Sequence, residues 1–178
     1  MAAMLKKSFT LNLSPYHITI EQFDQICTLR ARFINLWAKD YAIDIQSVAS
    51  AAFLMESGKI IISNIIAQNN YTTRFEELLL TNSIEDAEKL LFNVDSYTIA
   101  GMLFREWEFE EGFIEMIMGV SHPKTLEQQL LHVSSVLIST DGILTDVNIK
   151  KALLLLNRYE LLHKNFSATV LELQKKSD

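Results

Sequence analysis

Four histidines, a single cysteine and a run of glutamates are the side chains of this sequence best equipped for chemistry. His17, His122, His132 and His163 stand far from one another, and neither an HExxH nor a CxxC spacing occurs, so local spacing builds no metal centre. Histidines so isolated read as surface or hydrogen-bonded groups. Cys27 sits beside Phe23 and Ile26 in a helical pattern, on the apolar side, where a thiol behaves as a small hydrophobe and its thiolate is disfavoured. Glu106, Glu108, Glu110, Glu111 and Glu115 could hold a hard cation or pair as acid and base, but such carboxylates need burial or close pairing to shift their pKa. A solvated helix start accounts for them. Gly58-Lys59 matches the end of a phosphate loop but lacks the earlier glycine and the following Ser or Thr, and Gly58 is read instead as the left-handed terminator of the preceding helix.

The elements that must position these groups are helices. Thr19 with Gln22 has capping-box spacing and opens a segment over residues 20–40 whose Phe23, Ile26, Cys27, Phe33, Ile34, Trp37 and Tyr41 recur at helical intervals. Thr73 with Glu76, Ser83, Asp95, and Thr125 with Gln128 mark further starts. From Ser96 to Trp107 the residues Tyr97, Ala100, Leu103, Phe104 and Trp107 share one face, which predicts their burial. Residues 59–67 are rich in isoleucine, yet a lone strand would have no sheet to join, so a buried helix is expected there. Asp141-Gly142 supplies a tight turn, and a helical pair over 146–162 and 167–175 closes the chain.

Composition narrows the function classes. The chain has 178 residues, enough for one core. Its 2 prolines and 5 glycines fall well below the roughly 9 and 12 of an average protein this long, which disfavours turn-dense β folds. A net charge of −6 argues against nucleic acid, whose counterions only cations can replace. One cysteine excludes an internal disulfide framework and suits a reducing compartment. The longest apolar run, 60–67, is broken by Ser63 and Asn64 and is too short to span a bilayer, so the expectation is a cytoplasmic protein without a membrane partner.

The stretch Leu90 to Pro123 carries Phe92, Val94 and Asp95, then Gly101, Leu103 and Trp107, then Phe109, Glu115 and Ile117. In that order these residues resemble the HDOD family, relatives of the HD and HD-GYP metal-dependent phosphohydrolases. Upstream, the segment Ala51 to Ile62 is similar to the family's A-G-L-L-H-D-I-G-K block. The resemblance implies an all-α, compact multi-helix HDOD/HD-like bundle. It implies an HDOD-like domain over 6–140 and a helical extension over 141–178 packed on it.

Catalytic members of the wider superfamily hold metal ions with His and Asp. Here the matching positions carry Met55 and Glu56 in place of His-Asp, Ser96 in place of a later His, Val120 and Ser121 in place of paired histidines, and Ser135 in place of an Asp; Cys27 falls at the first histidine. The resemblance thus implies no metal, no cofactor and no catalytic residue, with Cys27, Met55, Glu56, Ser96 and Ser135 as candidates for a vestigial cleft. It implies a non-catalytic bacterial signalling module that binds a protein partner. The alternative is a divergent phosphohydrolase using Glu56, His122 and Glu106 to Glu111. Few positive groups are expected to meet a phosphate in the cleft. The matching region begins within the family's usual domain, which implies either a fragment or an absent N-terminal helical lobe. Met4, Leu5, Phe9 and Leu11 would then be short of cover, an expected route to self-association or to a partner.

Overall fold

Side chains able to accept the orphan N–H groups of a first turn set most of the helix starts. In the computed structural model, which describes residues 12–175, a 3-10 turn at Ser14–Tyr16 precedes α1 (Ile20–Trp37), closed by the reciprocal Thr19 and Gln22 capping box. Asp44 accepts from Gln46 and Ser47 N–H and opens α2 (Ile45–Leu54), which turns at Met55 and Glu56 into α3 (Ser57–Gln68). Then come α4 (Thr72–Leu79), α5 (Ile84–Phe92) capped by Ser83, α6 (Ser96–Glu106) capped by Asp95, and α7 (Glu111–Met118). The box of Thr125 and Gln128 starts α8 (Leu126–Leu137), and a short hairpin of β1 (Ile138–Ser139) and β2 (Gly142–Ile143) leads to α9 (Asp146–Arg158) and α10 (Phe166–Gln174). Each such cap is worth about 1 kcal/mol.

These helices form an all-α bundle around one continuous apolar core. The helix α1 lies against α2, α8 and α10, while α3 packs on α6 and α6 on α7. Phe33 and Trp37 stack at 5.0 Å, and Phe166 of α10 meets both edge-on at 5.8 and 5.7 Å, so the last helix returns to the first. The isoleucine-rich segment is helical, as its setting required. Together α2 and α3 make a 24-residue stretch as long and apolar as a membrane span, longer than the run from 60 to 67 suggested. In this fold Val48, Ala51, Ala52, Ile62 and Ile66 bury it in the core.

Four local expectations are corrected. Gly58 does not end a helix: it lies in the first turn of α3 without a positive φ. A Cβ there would stand 1.8 Å from the Ser96 carbonyl oxygen, so glycine is required by the close approach of α3 to the start of α6. The helix α4 starts at Thr72 with Tyr71 at the cap and no capping side chain, two residues earlier than a Thr73 cap implies. The hairpin pairs Ser139 with Gly142, placing its two-residue turn on Thr140 and Asp141 rather than on Asp141 and Gly142. Trp107 is 60% exposed because α6 ends at Glu106 and the chain turns away, with the indole resting edge-on against Phe104 at 5.8 Å. Met4, Leu5, Phe9 and Leu11 lie outside the described residues.

Candidate functional site

The turn between α2 and α3 drives a carboxylate into the core. Glu56 is fully buried, with one oxygen on the Arg30 guanidinium from α1 and the other 2.8 Å from Lys59 Nζ in the first turn of α3. Burial by itself would raise the Glu56 carboxyl, but the two cations overcome it and hold the group down at about 2. The same pairing keeps the buried Arg30 and Lys59 protonated, against a desolvation that favours their neutral forms. Arg30 is further fixed by donating Nε to the Ile138 carbonyl at 2.6 Å and Nη2 to the Ser135 carbonyl at 3.3 Å. Its five N–H donors suit this three-way anchorage of α1 to the α2–α3 turn and to the end of α8.

A second buried carboxylate completes the cluster. Glu88 on α5 accepts from the Tyr16 hydroxyl and from the Ser96 N–H, each at 2.6 Å, so it ties the 3-10 turn to the start of α6. Burial raises its carboxyl to about 7, with Lys59 and the bonds from Tyr16 and Ser96 holding it back from rising further. Lys59 lies 5.2 Å from the centre of the Tyr97 ring and 5.9 Å from that of Tyr16, so two aromatic rings help hold its charge in place of water. Glu85, at 3.8 Å, is its outer carboxylate partner.

Above this cluster opens a cleft of about 650 Å³, with Arg30, Lys59 and Tyr97 in its lining. Lys89 and Lys151 also line it, so more positive charge faces the cleft than the sequence reading allowed. Each inner cation already has its anion: Arg30 and Lys59 share Glu56, and Lys89 pairs with Asp95 at 3.0 Å. His132, also in the lining, is pushed down to about 4 by burial and by the nearby Arg158, and its Nδ1 is 2.7 Å from the Tyr159 hydroxyl.

The residues singled out from sequence divide between floor and wall. Glu56 is the centre of the ion cluster. Ser96 joins it through its N–H, while its own buried hydroxyl has no hydrogen-bond partner among the described residues. Met55 is wholly buried, and Cys27 is buried with its thiol pushed up to about 12 by burial, which suits packing rather than nucleophilic attack. Ser135 alone of the five lines the cleft, its hydroxyl donating to the His132 carbonyl at 2.8 Å. His122 lines it too, but Glu106 to Glu111 lie on an exposed turn outside that lining, so the structure does not gather Glu56, His122 and those glutamates into one site. Among the described residues no three His, Cys, Asp or Glu side chains converge to hold a metal ion.

Arg30 and Glu88 are what the sequence reading missed, and Lys59, weighed there only beside Gly58 as the end of a phosphate loop, proves to be a buried charge. An arginine on the helical face carrying Ile26, Cys27, Phe33 and Ile34, and a glutamate between Ile84, Ala87 and Leu91, are signals of charges that must find partners inside.

No protein-family model matches the chain, and no curated protein matches it. Among solved structures the fold is similar to that of a virulence factor from Campylobacter jejuni subsp. jejuni, with a TM-score of 0.68 and 22% identity over 94% of this chain and 67% of that one. The likeness is one of fold.

Proposed function

We propose that this chain is a non-catalytic, HDOD-like regulatory module of bacterial signal transduction, acting in the cytoplasm by binding a protein partner. The observation that carries the reading is Glu56, a buried carboxylate whose two oxygens face Arg30 and Lys59. By the resemblance, this is where phosphohydrolase relatives bear a His-Asp metal ligand pair. Two cations held against the one remaining carboxylate repel a divalent ion and leave no free oxygen to coordinate it. The charge pair serves instead to join α1, α3 and α8, so the architecture is retained for its shape and surface.

Purified chain incubated with bis-p-nitrophenyl phosphate and Mn²⁺, Fe²⁺ or Mg²⁺ tests this directly. Turnover should not exceed that of the metal alone, and metal analysis should find no stoichiometric ion. Chelator-sensitive turnover well above that blank would overturn the reading in favour of a divergent phosphohydrolase.

A further inference from the structure

The turn from α6 to α7 combines two features that rarely share a surface. Residues 105–115 hold five glutamates and one arginine, a net charge of −4 out of the chain's −6. Within the same turn Trp107 is 60% and Phe109 40% exposed, and both pack on the buried Phe104, at 5.8 and 5.0 Å. Phe113 continues the row, 5.4 Å from Phe109. Joined through the buried Phe104, the rings make an aromatic ledge held from beneath by the core, and the exposed Glu108, Glu110 and Glu111 alternate with them along the chain. An exposed tryptophan anchored on a rigid base has the composition of an interface hot spot rather than of ordinary solvated surface.

We infer that this ledge docks a basic, amphipathic segment of a partner protein, its apolar side chains on Trp107 and Phe109 and its Lys or Arg side chains on the surrounding glutamates. The inference rests on the reading of the chain as a partner-binding module and supplies the surface and the partner's chemistry. Charge decides among occupants. A second copy would bring two patches of net −4 face to face, and nucleic acid or an anionic membrane would meet the same repulsion. A basic segment alone gains both from burying the rings and from complementing the rim.

The test uses a short peptide of lysine and leucine designed as an amphipathic helix, beside the same peptide with glutamate for lysine. Trp37 is buried and Trp107 exposed, so a blue shift of the red-edge emission reports docking at Trp107 itself. The lysine peptide should bind with that shift and the glutamate peptide should not. Measured by titration calorimetry, which needs no indole, Trp107→Ala and the pair Glu108→Lys/Glu110→Lys should each weaken binding about ten-fold or more, as loss of a hot-spot anchor does. The pair Glu76→Lys/Glu77→Lys on exposed α4 should leave it unchanged. Raising salt from about 0.05 to about 0.5 M should weaken it several-fold.

Equal binding of the two peptides, equal loss from the α4 pair, or no loss from either ledge variant would overturn the inference. So would a concentration-dependent dimer abolished by Trp107→Ala, which would assign the ledge to a second copy. These outcomes leave the absence of catalysis standing, whereas chelator-sensitive phosphodiester turnover defeats that reading without touching the ledge.

Discussion

Glutamates gather at two places in this molecule, and their surroundings give them opposite work. At the base of the cleft Glu56 and Glu88 are wholly buried, Glu56 against two cations and Glu88 against a hydroxyl and a backbone N–H. At the α6–α7 turn Glu106 to Glu111 stand in solvent, and among the described residues Arg105–Glu111 is their one ion pair. Desolvation makes the first group expensive to leave unmatched, so it commits the fold to one arrangement. Hydration leaves the second group free of structural duty and open to an incoming charge.

The sharpest way to break the comparison is to neutralise one member of each group. Glu56→Gln strands Arg30 and Lys59 as buried charges and should cost about 3–5 kcal/mol in denaturant unfolding, with loss of the folded state as the extreme. Glu110→Gln should change stability by no more than about 0.5 kcal/mol in the same measurement. Equal effects would erase the distinction.

Acid and base titration should separate the two buried carboxylates from each other. Glu56 is held at about 2 against an ordinary 4.5, so below pH 4.5 the unfolded chain takes up the proton first. The stability Glu56 contributes is therefore complete above pH 4.5 and drains away as pH falls toward 2. Glu88 runs the other way: raised from 4.5 to about 7, it binds its proton more tightly in the folded state. Stability should then decline as pH rises from 4.5 to 7 by about 3 kcal/mol. Glu88→Gln, which can still accept the Ser96 N–H and donate to Tyr16, should remove that decline and exceed the parent's stability above pH 7. Urea midpoints measured across this range would show it.

Backbone packing offers the next contrast. Gly58→Ala drives a methyl into the Ser96 carbonyl and should cost about 2–3 kcal/mol by thermal unfolding, since α3 and α6 must part. Gly112 has open space around its Cβ position and sits in α7. There the same substitution should stabilise by about 0.5–1 kcal/mol, because alanine is the better helix former.

Much of the local structure was legible beforehand because its causes lie within a turn of each other. Thr19 with Gln22 and Thr125 with Gln128 close capping boxes over three residues, and Ser83 and Asp95 cap as their positions implied. A weaker signal misleads: Thr73 has a cap's spacing to Glu76, but α4 begins two residues earlier than such a cap implies, without any side-chain cap. Trp107 matched the buried face of α6 in phase, and only the end of that helix at Glu106 put it in solvent. The candidate cleft is half legible. Glu56 and Ser96 are marked by what they replace in a resembling family, whereas Arg30 and Glu88 carry no such mark and Lys59 stands out only as the residue after Gly58.

By itself, then, the sequence determined that this chain is helical, where most helices begin, and that no local spacing assembles a metal centre, because caps, periodicity and ligand spacings act over a few residues. Only the tertiary structure decided that Arg30 meets Glu56 across 26 positions, that Tyr16 meets Glu88 across 72, and that Arg30 reaches the Ser135 carbonyl across 105. A buried charge requires a partner without specifying where along the chain it must come from, and that choice is made when the helices pack.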